Sequence, residues 1–268
     1  MIHHFPKGHP MTTAPQPPPT KAVILAAGVG SRIAPLTDDC PKSLLVVAGM
    51  PILERMIRNI ETCGILEFVI VLGYLGSRIR DFVGERFPHL DVTYISNPLY
   101  RDTNTGYSLM LAQEATGGAG FVKFDADVVF DVEILRRLLA SDADTALCID
   151  RNIQLDAEEV KVVTGDGNRV LRASKDVDPK TAMGESIGIE KIDAATASLL
   201  FGELIVMMTD EDHLQDYYEA AYERLIAGGV PFHAVDITGL AWVEIDTHDD
   251  FALANRTPGF RREVQPVT

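Results

Sequence analysis

From Lys21 onward, short apolar runs alternate with stretches of helical periodicity, and this alternation limits the fold more than any other feature of the chain. Residues 22–25 (Ala-Val-Ile-Leu), 68–72, 92–95 and 121–124 read as strands. Between them, residues 52–62 place Ile52, Leu53, Met56, Ile57 and Ile60 on one helical face, and residues 75–82 read as a second helix. A helix capped by Thr103 or Asn104 runs through residues 109–114 to a stop at Gly117-Gly118, and residues 132–139 supply another. Strands apolar throughout, separated by helices, are the pattern of a mostly parallel sheet covered on both faces. The second half differs: strands at 145–149, 160–163 and 170–173, the last two joined by the turn cluster Gly165-Asp166-Gly167-Asn168. Helices at 194–207 and 212–227, strands at 232–236 and 242–245, and a closing helix at 248–254 follow. No internal repeat is visible. The expectation is an α/β chain with a single domain over residues 21–256.

Residues 1–20 carry Pro6, Pro10, Pro15, Pro17, Pro18 and Pro19 with little periodicity, and read as a disordered leader without the apolar segment of a signal peptide. Met11 is a candidate alternative start, and His3, His4 and His9 read as solvated; residues 257–268 read as a tail. The formal charge of −15 argues against nucleic-acid binding, which draws on Lys and Arg contacts to phosphate. Cys40, Cys63 and Cys148 are widely separated, so neither a disulfide framework nor a zinc site is expected, and free thiols fit a cytoplasmic setting. No apolar run approaches the roughly 18 residues of a membrane span.

The stretch Leu25-Ala-Ala-Gly-Val-Gly-Ser-Arg32 follows the first strand directly. Ala26, Ala27, Gly28 and Gly30 remove side-chain bulk, so that a ligand can approach backbone N–H groups suited to phosphate oxygens. Arg32 and Lys42 add fixed positive charge. A dinucleotide fingerprint needs a third glycine, absent here because Ser31, Arg32 and Ile33 follow Gly30, and Pro35 argues against an uninterrupted helix. A P-loop needs glycine before Lys-Ser, whereas Lys42-Ser43 follows Pro41. Acidic pairs close two later strands: Asp125 and Asp127, at i and i+2 on one strand face, and Glu244 and Asp246. Asp131 fits a helix cap better than Asp127 does; Asp246 could cap the last helix.

The run Leu25 to Arg32, then Pro35-Leu36-Thr37, then Pro41-Lys42-Ser43-Leu44 resembles the signature of sugar-1-phosphate and phospho-alcohol nucleotidyltransferases. The resemblance implies a glycosyltransferase-A-like, Rossmann-like fold of the nucleotide-diphospho-sugar transferase type, a mixed, mostly parallel sheet with helices on both faces. It implies that Leu25, Ala26, Ala27, Gly28, Gly30 and Ser31 hold base and phosphates, that Arg32 and Lys42 are the catalytic cations, and that Asp127 and Asp246 bind Mg²⁺ with Asp125 in support. A divalent cation would offset the chain's negative charge beside an anionic substrate.

Asn97-Pro98-Leu99-Tyr100, Thr103-Asn-Thr-Gly-Tyr-Ser-Leu109 and Asp125-Ala-Asp-Val-Val129 resemble the bacterial phosphocholine cytidylyltransferases and relatives acting on 2-aminoethylphosphonate and inositol 1-phosphate. Asn104 and Ser108 are then nucleotide contacts, with a helix cap an equal account of Asn104. Glu185, Tyr218, Glu219 and Glu244, with Tyr217, are candidates for an acceptor's ammonium group, although Tyr218, Ala221, Tyr222 and Leu225 also have the spacing of a core helix face. The implied reaction joins CTP to a small phospho- or phosphono-acceptor and releases pyrophosphate. The acceptor oxygen is already ionised at neutral pH, so no general base is needed. The alternatives are a uridylyl- or guanylyltransferase acting on a sugar 1-phosphate and a nucleotide-sensing domain without turnover. No nucleic acid or membrane partner is expected, and a homodimer is left open.

Overall fold

The structure is a computed structural model that describes residues 19–152 and 158–261; the expected leader lies outside the described residues apart from its last two positions. In chain order the elements are β1 (Lys21–Ala26), β2 (Val46–Val47), β3 (Met50–Pro51), α1 (Ile52–Thr62), β4 (Glu67–Leu72), α2 (Gly76–Arg86), β5 (Asp91–Ser96), α3 (Thr105–Leu111), α4 (Gln113–Thr116), β6 (Phe121–Asp125), β7 (Val128–Phe130) and α5 (Val132–Ala140). There follow β8 (Ala146–Asp150), β9 (Lys161–Thr164), β10 (Val170–Ser174), β11 (Gly184–Ile192), α6 (Ala194–Met208), α7 (Tyr218–Ala227), β12 (His233–Asp236), β13 (Trp242–Glu244) and α8 (His248–Arg256). Short 3-10 turns cover Ser31–Ile33, Lys42–Leu44 and Pro258–Arg261.

One mixed sheet dominates. Its parallel half has the order β5-β4-β1-β6, with Ile24 of β1 opposite Ile70 of β4 and Phe124 of β6. Because successive strand residues face opposite ways, Ala22, Ile24 and Ala26 enter a core with α1, α2 and α5, while Val23 and Leu25 enter a second core with α3, α6 and α7. Both faces are covered, and this is why the strand is apolar throughout. The nine-residue β11 turns the sheet antiparallel: one of its edges pairs with β9 and then β6, the other with β8. β12 extends the sheet parallel to β8.

A separate two-stranded pair, β7 with β13, sets Val128 opposite Glu244. A third apolar cluster lies under it and gathers Ile33, Leu45, Val47, Ile52, Val129, Ile245, Ala254 and Phe260. It fastens the segment after β1 to the end of the chain. Phe260, expected in the tail, is buried here, with the Arg55 guanidinium 6.0 Å from its ring centre, because this cluster offers it an apolar seat.

Beyond the short strands β2, β3 and β7, which were not expected, other elements differ from the sequence expectation. β11 was not expected as a strand, because its buried Glu185, Glu190 and Lys191 interrupt the apolar pattern. α7 begins at Tyr218 rather than at residue 212, because Asp210 caps a separate 3-10 turn over Glu211–His213. The helix expected through residues 109–114 divides into α3 and α4 at Ala112, and no breaker residue accounts for it. Among the described residues, no helix is long and apolar enough to cross a membrane.

Candidate active site

The carboxyl ends of β1 and β6, the β7–β13 pair and the amino end of α7 surround one cavity of about 830 Å³, within the range of small-molecule sites. Leu25, Gly28, Val29, Gly30, Ser31 and Arg32 line it from the loop after β1. Gly30 has φ 67°, and a Cβ there would come within 3.1 Å of Lys42 Cβ, so this glycine lets the chain turn tightly against Lys42. Thr37 Oγ1 donates to Gly30 O at 2.9 Å and Ile33 is buried in the third cluster, which pins the loop at both ends. Ala26 and Ala27 do not line the cavity. They are buried, and a Cβ on Gly73 would lie 2.9 Å from Ala27 Cβ, so the glycine at the neighbouring strand end makes room for Ala27.

Lys42, Asp127 and Asp246 meet at the cavity floor. Lys42 Nζ lies 2.7 Å from Asp127 Oδ2 and 2.5 Å from Asp246 Oδ1, and Arg32 approaches Asp246 Oδ2 at 2.6 Å. Burial works against the Lys42 charge, but Asp127 and Asp246 outweigh it and raise the lysine above its ordinary pKa. Burial likewise works against Asp246, yet Lys42 and then Arg32 and Lys175 hold it below the usual carboxylate range. Helix capping does not occupy Asp246, because Thr247 and Asp250 form a capping box for α8 and leave the Asp246 carboxylate to the cavity.

Asp127 is not an i+2 strand neighbour of Asp125, as the spacing had suggested. β6 ends at Asp125 and the chain turns through Ala126 and Asp127 before β7, so each carboxylate has its own direction. Glu244, assigned from sequence to the acceptor end, stands with Asp127 and Asp246: carboxylate oxygens of all three lie within 4.8 Å of one another. Burial, then Asp127 and Asp246, push Glu244 well above the ordinary glutamate value. Among the described residues, none hydrogen-bonds to the buried Asp127 Oδ1. An all-oxygen donor set with an unsatisfied buried carboxylate oxygen fits a hard divalent cation such as Mg²⁺.

Asn104 caps α3, its Oδ1 accepting from Thr105 N at 2.8 Å, and it also lines the cavity. Ser108 does not reach the cavity: it is buried, and its Oγ accepts from Asn97 Nδ2 at 3.0 Å. Glu185 and Glu219 line the cavity. Burial first, then Asp125, raise Glu219 to about 7. Tyr218 also touches the cavity, but its ring face is taken: Lys123 Nζ lies 3.6 Å from the ring centre, and the hydroxyl donates to Asp125 Oδ2 at 2.7 Å. With Ala221, Tyr222 and Leu225 it belongs to the buried face of α7, and the ring face that Lys123 covers is closed to a ligand cation. Lys175 escaped the sequence reading. It lines the cavity beside Tyr217, its Nζ 4.5 Å from that ring, and no motif marks a lone lysine after a strand.

Residues 22–181 match the MobA-like NTP transferase domain family. The chain belongs to that family. As an NTP transferase domain it is 31% identical over 264 residues to the CMP-5'-(3-aminopropyl)phosphonate synthase of Streptomyces rubellomurinus, an alignment covering 94% of this chain and 41% of the longer relative. The chain therefore spans less than half the length of that protein. Among solved structures, the CTP:phosphocholine cytidylyltransferase of Streptococcus pneumoniae superposes with TM-score 0.72 at 25% identity, over 88% of this chain and 97% of that one. The inositol-1-phosphate CTP transferase of T. maritima superposes with TM-score 0.73 over 90% and 97%; at 19% identity that likeness shows the fold. The mixed, mostly parallel sheet with helices on both faces is thus the nucleotidyltransferase architecture.

Proposed function

We propose that this chain is a cytidylyltransferase that moves CMP from CTP to a phosphonate or phosphate oxygen of a small acceptor bearing an ammonium group, releasing pyrophosphate. The observation that carries the transfer chemistry is the meeting of Lys42 with Asp127 and Asp246, at 2.7 and 2.5 Å, beside the glycine loop in one cavity. CTP as donor and a phosphono- or phospho-acceptor rest on similarity to the phosphonate synthase and to the phosphocholine enzyme.

The acceptor oxygen attacks the α-phosphorus, the bond from that phosphorus to the pyrophosphate oxygen breaks, and the product keeps CMP. No side chain need remove a proton, because the attacking oxygen is ionised at neutral pH. The work of the protein is to position the reactants and balance their charge. Gly28, Gly30 and Ser31 present backbone to the triphosphate. Lys42 and Arg32, both beside the carboxylates, steady charge on the phosphates, and Lys175 adds positive charge to the same cavity. Asp127, Glu244 and Asp246 would hold Mg²⁺, which when bound neutralises phosphate charge and polarises the reacting phosphorus. Glu185 and Glu219 supply carboxylates for the acceptor's ammonium group.

The test is pyrophosphate release with each of the four nucleoside triphosphates crossed against 3-aminopropylphosphonate, 2-aminoethylphosphonate, phosphocholine, inositol 1-phosphate and a sugar 1-phosphate, with and without Mg²⁺. A signal confined to CTP with an ammonium-bearing acceptor, abolished by EDTA and restored by Mg²⁺, is expected. Activity only with UTP or GTP and the sugar phosphate overturns the donor and acceptor. Binding of CTP with no release in any combination favours a sensing domain.

A further inference from the structure

Lys123 is wholly buried in the middle of the sheet, between β1 and β11. An unpaired charge in such a place is very costly, and even a paired one is often no better than an apolar residue of similar size. Stability alone therefore gives no reason for a lysine here. Its three neighbours do. Nζ lies 2.9 Å from Asp125 Oδ2, 2.8 Å from Glu190 Oε2 and 3.6 Å from the centre of the Tyr218 ring. Tyr218 closes the figure by donating its hydroxyl to the same Asp125 oxygen at 2.7 Å. Asp125 ends β6 two residues before Asp127, and Tyr218 opens α7 beside Glu219. One ammonium thus joins the strand that carries the metal end of the cavity to the helix that carries its acceptor end.

We propose that Lys123 is a positioning residue, a buried clamp that fixes Asp125 and Tyr218 together and thereby holds the turn bearing Asp127 in register with the acceptor wall. It touches no substrate, and the proposal rests on the cytidylyltransferase reading for its catalytic consequence. Glu190, on the neighbouring strand directly opposite Lys123, is the second anchor that holds the ammonium in place.

The experiment compares wild type, K123M and the double variant K123M/E190L, which removes both members of the buried Lys123–Glu190 pair. K123M leaves Asp125 and Glu190 without a buried cation and is expected to melt at lower temperature; the double variant is expected to recover much of that loss. Turnover should not recover with it. In both variants kcat should fall about 100-fold, the scale of a misplaced reactive group, with the KM for CTP nearly unchanged. Mn²⁺ binding to the protein without nucleotide should weaken about 10-fold, as for other residues that orient metal ligands. This second readout separates positioning from charge, because deleting a positive charge near carboxylates would by electrostatics alone tighten Mn²⁺ binding. Wild-type kcat in the double variant, unchanged or tighter Mn²⁺ binding in K123M and the double variant, or a wild-type protein that takes up no Mn²⁺ overturns the proposal. Silence of the wild type in the pyrophosphate assay would instead sink the cytidylyltransferase reading, and the Mn²⁺ comparison would still decide the role of Lys123.

Discussion

The Asp125 carboxylate occupies the space that a side chain at Gly188 would fill. Gly188 also has φ 74°, a left-handed conformation disfavoured for any other residue, at the point where the β11 register shifts between Ser186 and Glu190. The glycine thus serves backbone and active site at once. Gly188→Ala should lose about 1 kcal/mol or more from backbone strain and further stability by pushing Asp125 aside. A lowered thermal midpoint together with reduced pyrophosphate release checks this; a variant with unchanged midpoint would show that Asp125 can move freely.

Lys42→Ala and Asp127→Ala should each lower turnover by a factor on the order of 10²–10³, the usual cost of deleting a group aimed at developing charge. Both residues border the open cavity rather than the core, so the far-ultraviolet circular dichroism of each variant should match wild type. Turnover near wild type in either one would remove the transfer mechanism.

The capping box between Thr247 and Asp250 also holds Asp246, whose N–H donates to Asp250 Oδ2 at 3.1 Å. Thr247→Ala should cost about 1 kcal/mol from the lost cap and raise the Mg²⁺ concentration needed for half-maximal rate. Denaturant unfolding measures the first effect and a Mg²⁺ titration of the rate the second. A stability loss without any change in the Mg²⁺ requirement would show that Asp246 is held by Lys42 and Arg32 alone.

Glu190 gives a pH dependence of defined sign. Burial first, with Asp125 and Glu219 adding to it against the opposing pull of Lys123, raises its pKa from 4.5 to about 8. Between those values the folded protein binds more protons than the unfolded chain, so stability falls as pH rises from about 5 to 8. Gln at this position imitates the protonated form. Glu190→Gln should therefore match wild type near pH 5 and exceed it near pH 8, which thermal melts across that range will show. Equal pH slopes in the two proteins would mean that Glu190 is ionised throughout.

The parallel half was legible because its strands are covered on both faces: Ala22 to Leu25 and Phe68 to Leu72 read as unbroken apolar runs. β11 was hidden for the opposite reason. Glu190 is accommodated inside because Lys123 faces it from another strand at 2.8 Å, and a one-dimensional pattern cannot show that pairing. At the site, Asp127 and Asp246 were readable because each follows an apolar run and the surrounding motif is continuous. Tyr218 was left between an acceptor contact and a core residue, because helical spacing cannot tell which ring face a buried lysine already covers. Lys175 had no motif at all, and only the cavity places it near the Asp246 charge.

The β7–β13 pair, which carries Glu244 to the acidic cluster, has a consequence for the order in which that cluster is completed. Lys42 meets Asp127 from 85 residues away, but Asp246 from 204. Since chains fold from the amino terminus as they are made, a ribosome that has delivered β12 has already released the glycine loop, every strand of the main sheet and Asp127. Glu244 and Asp246 have yet to emerge. A nascent chain at that stage lacks two of the three clustered carboxylates, so the acidic cluster is completed only when β13 and α8 dock.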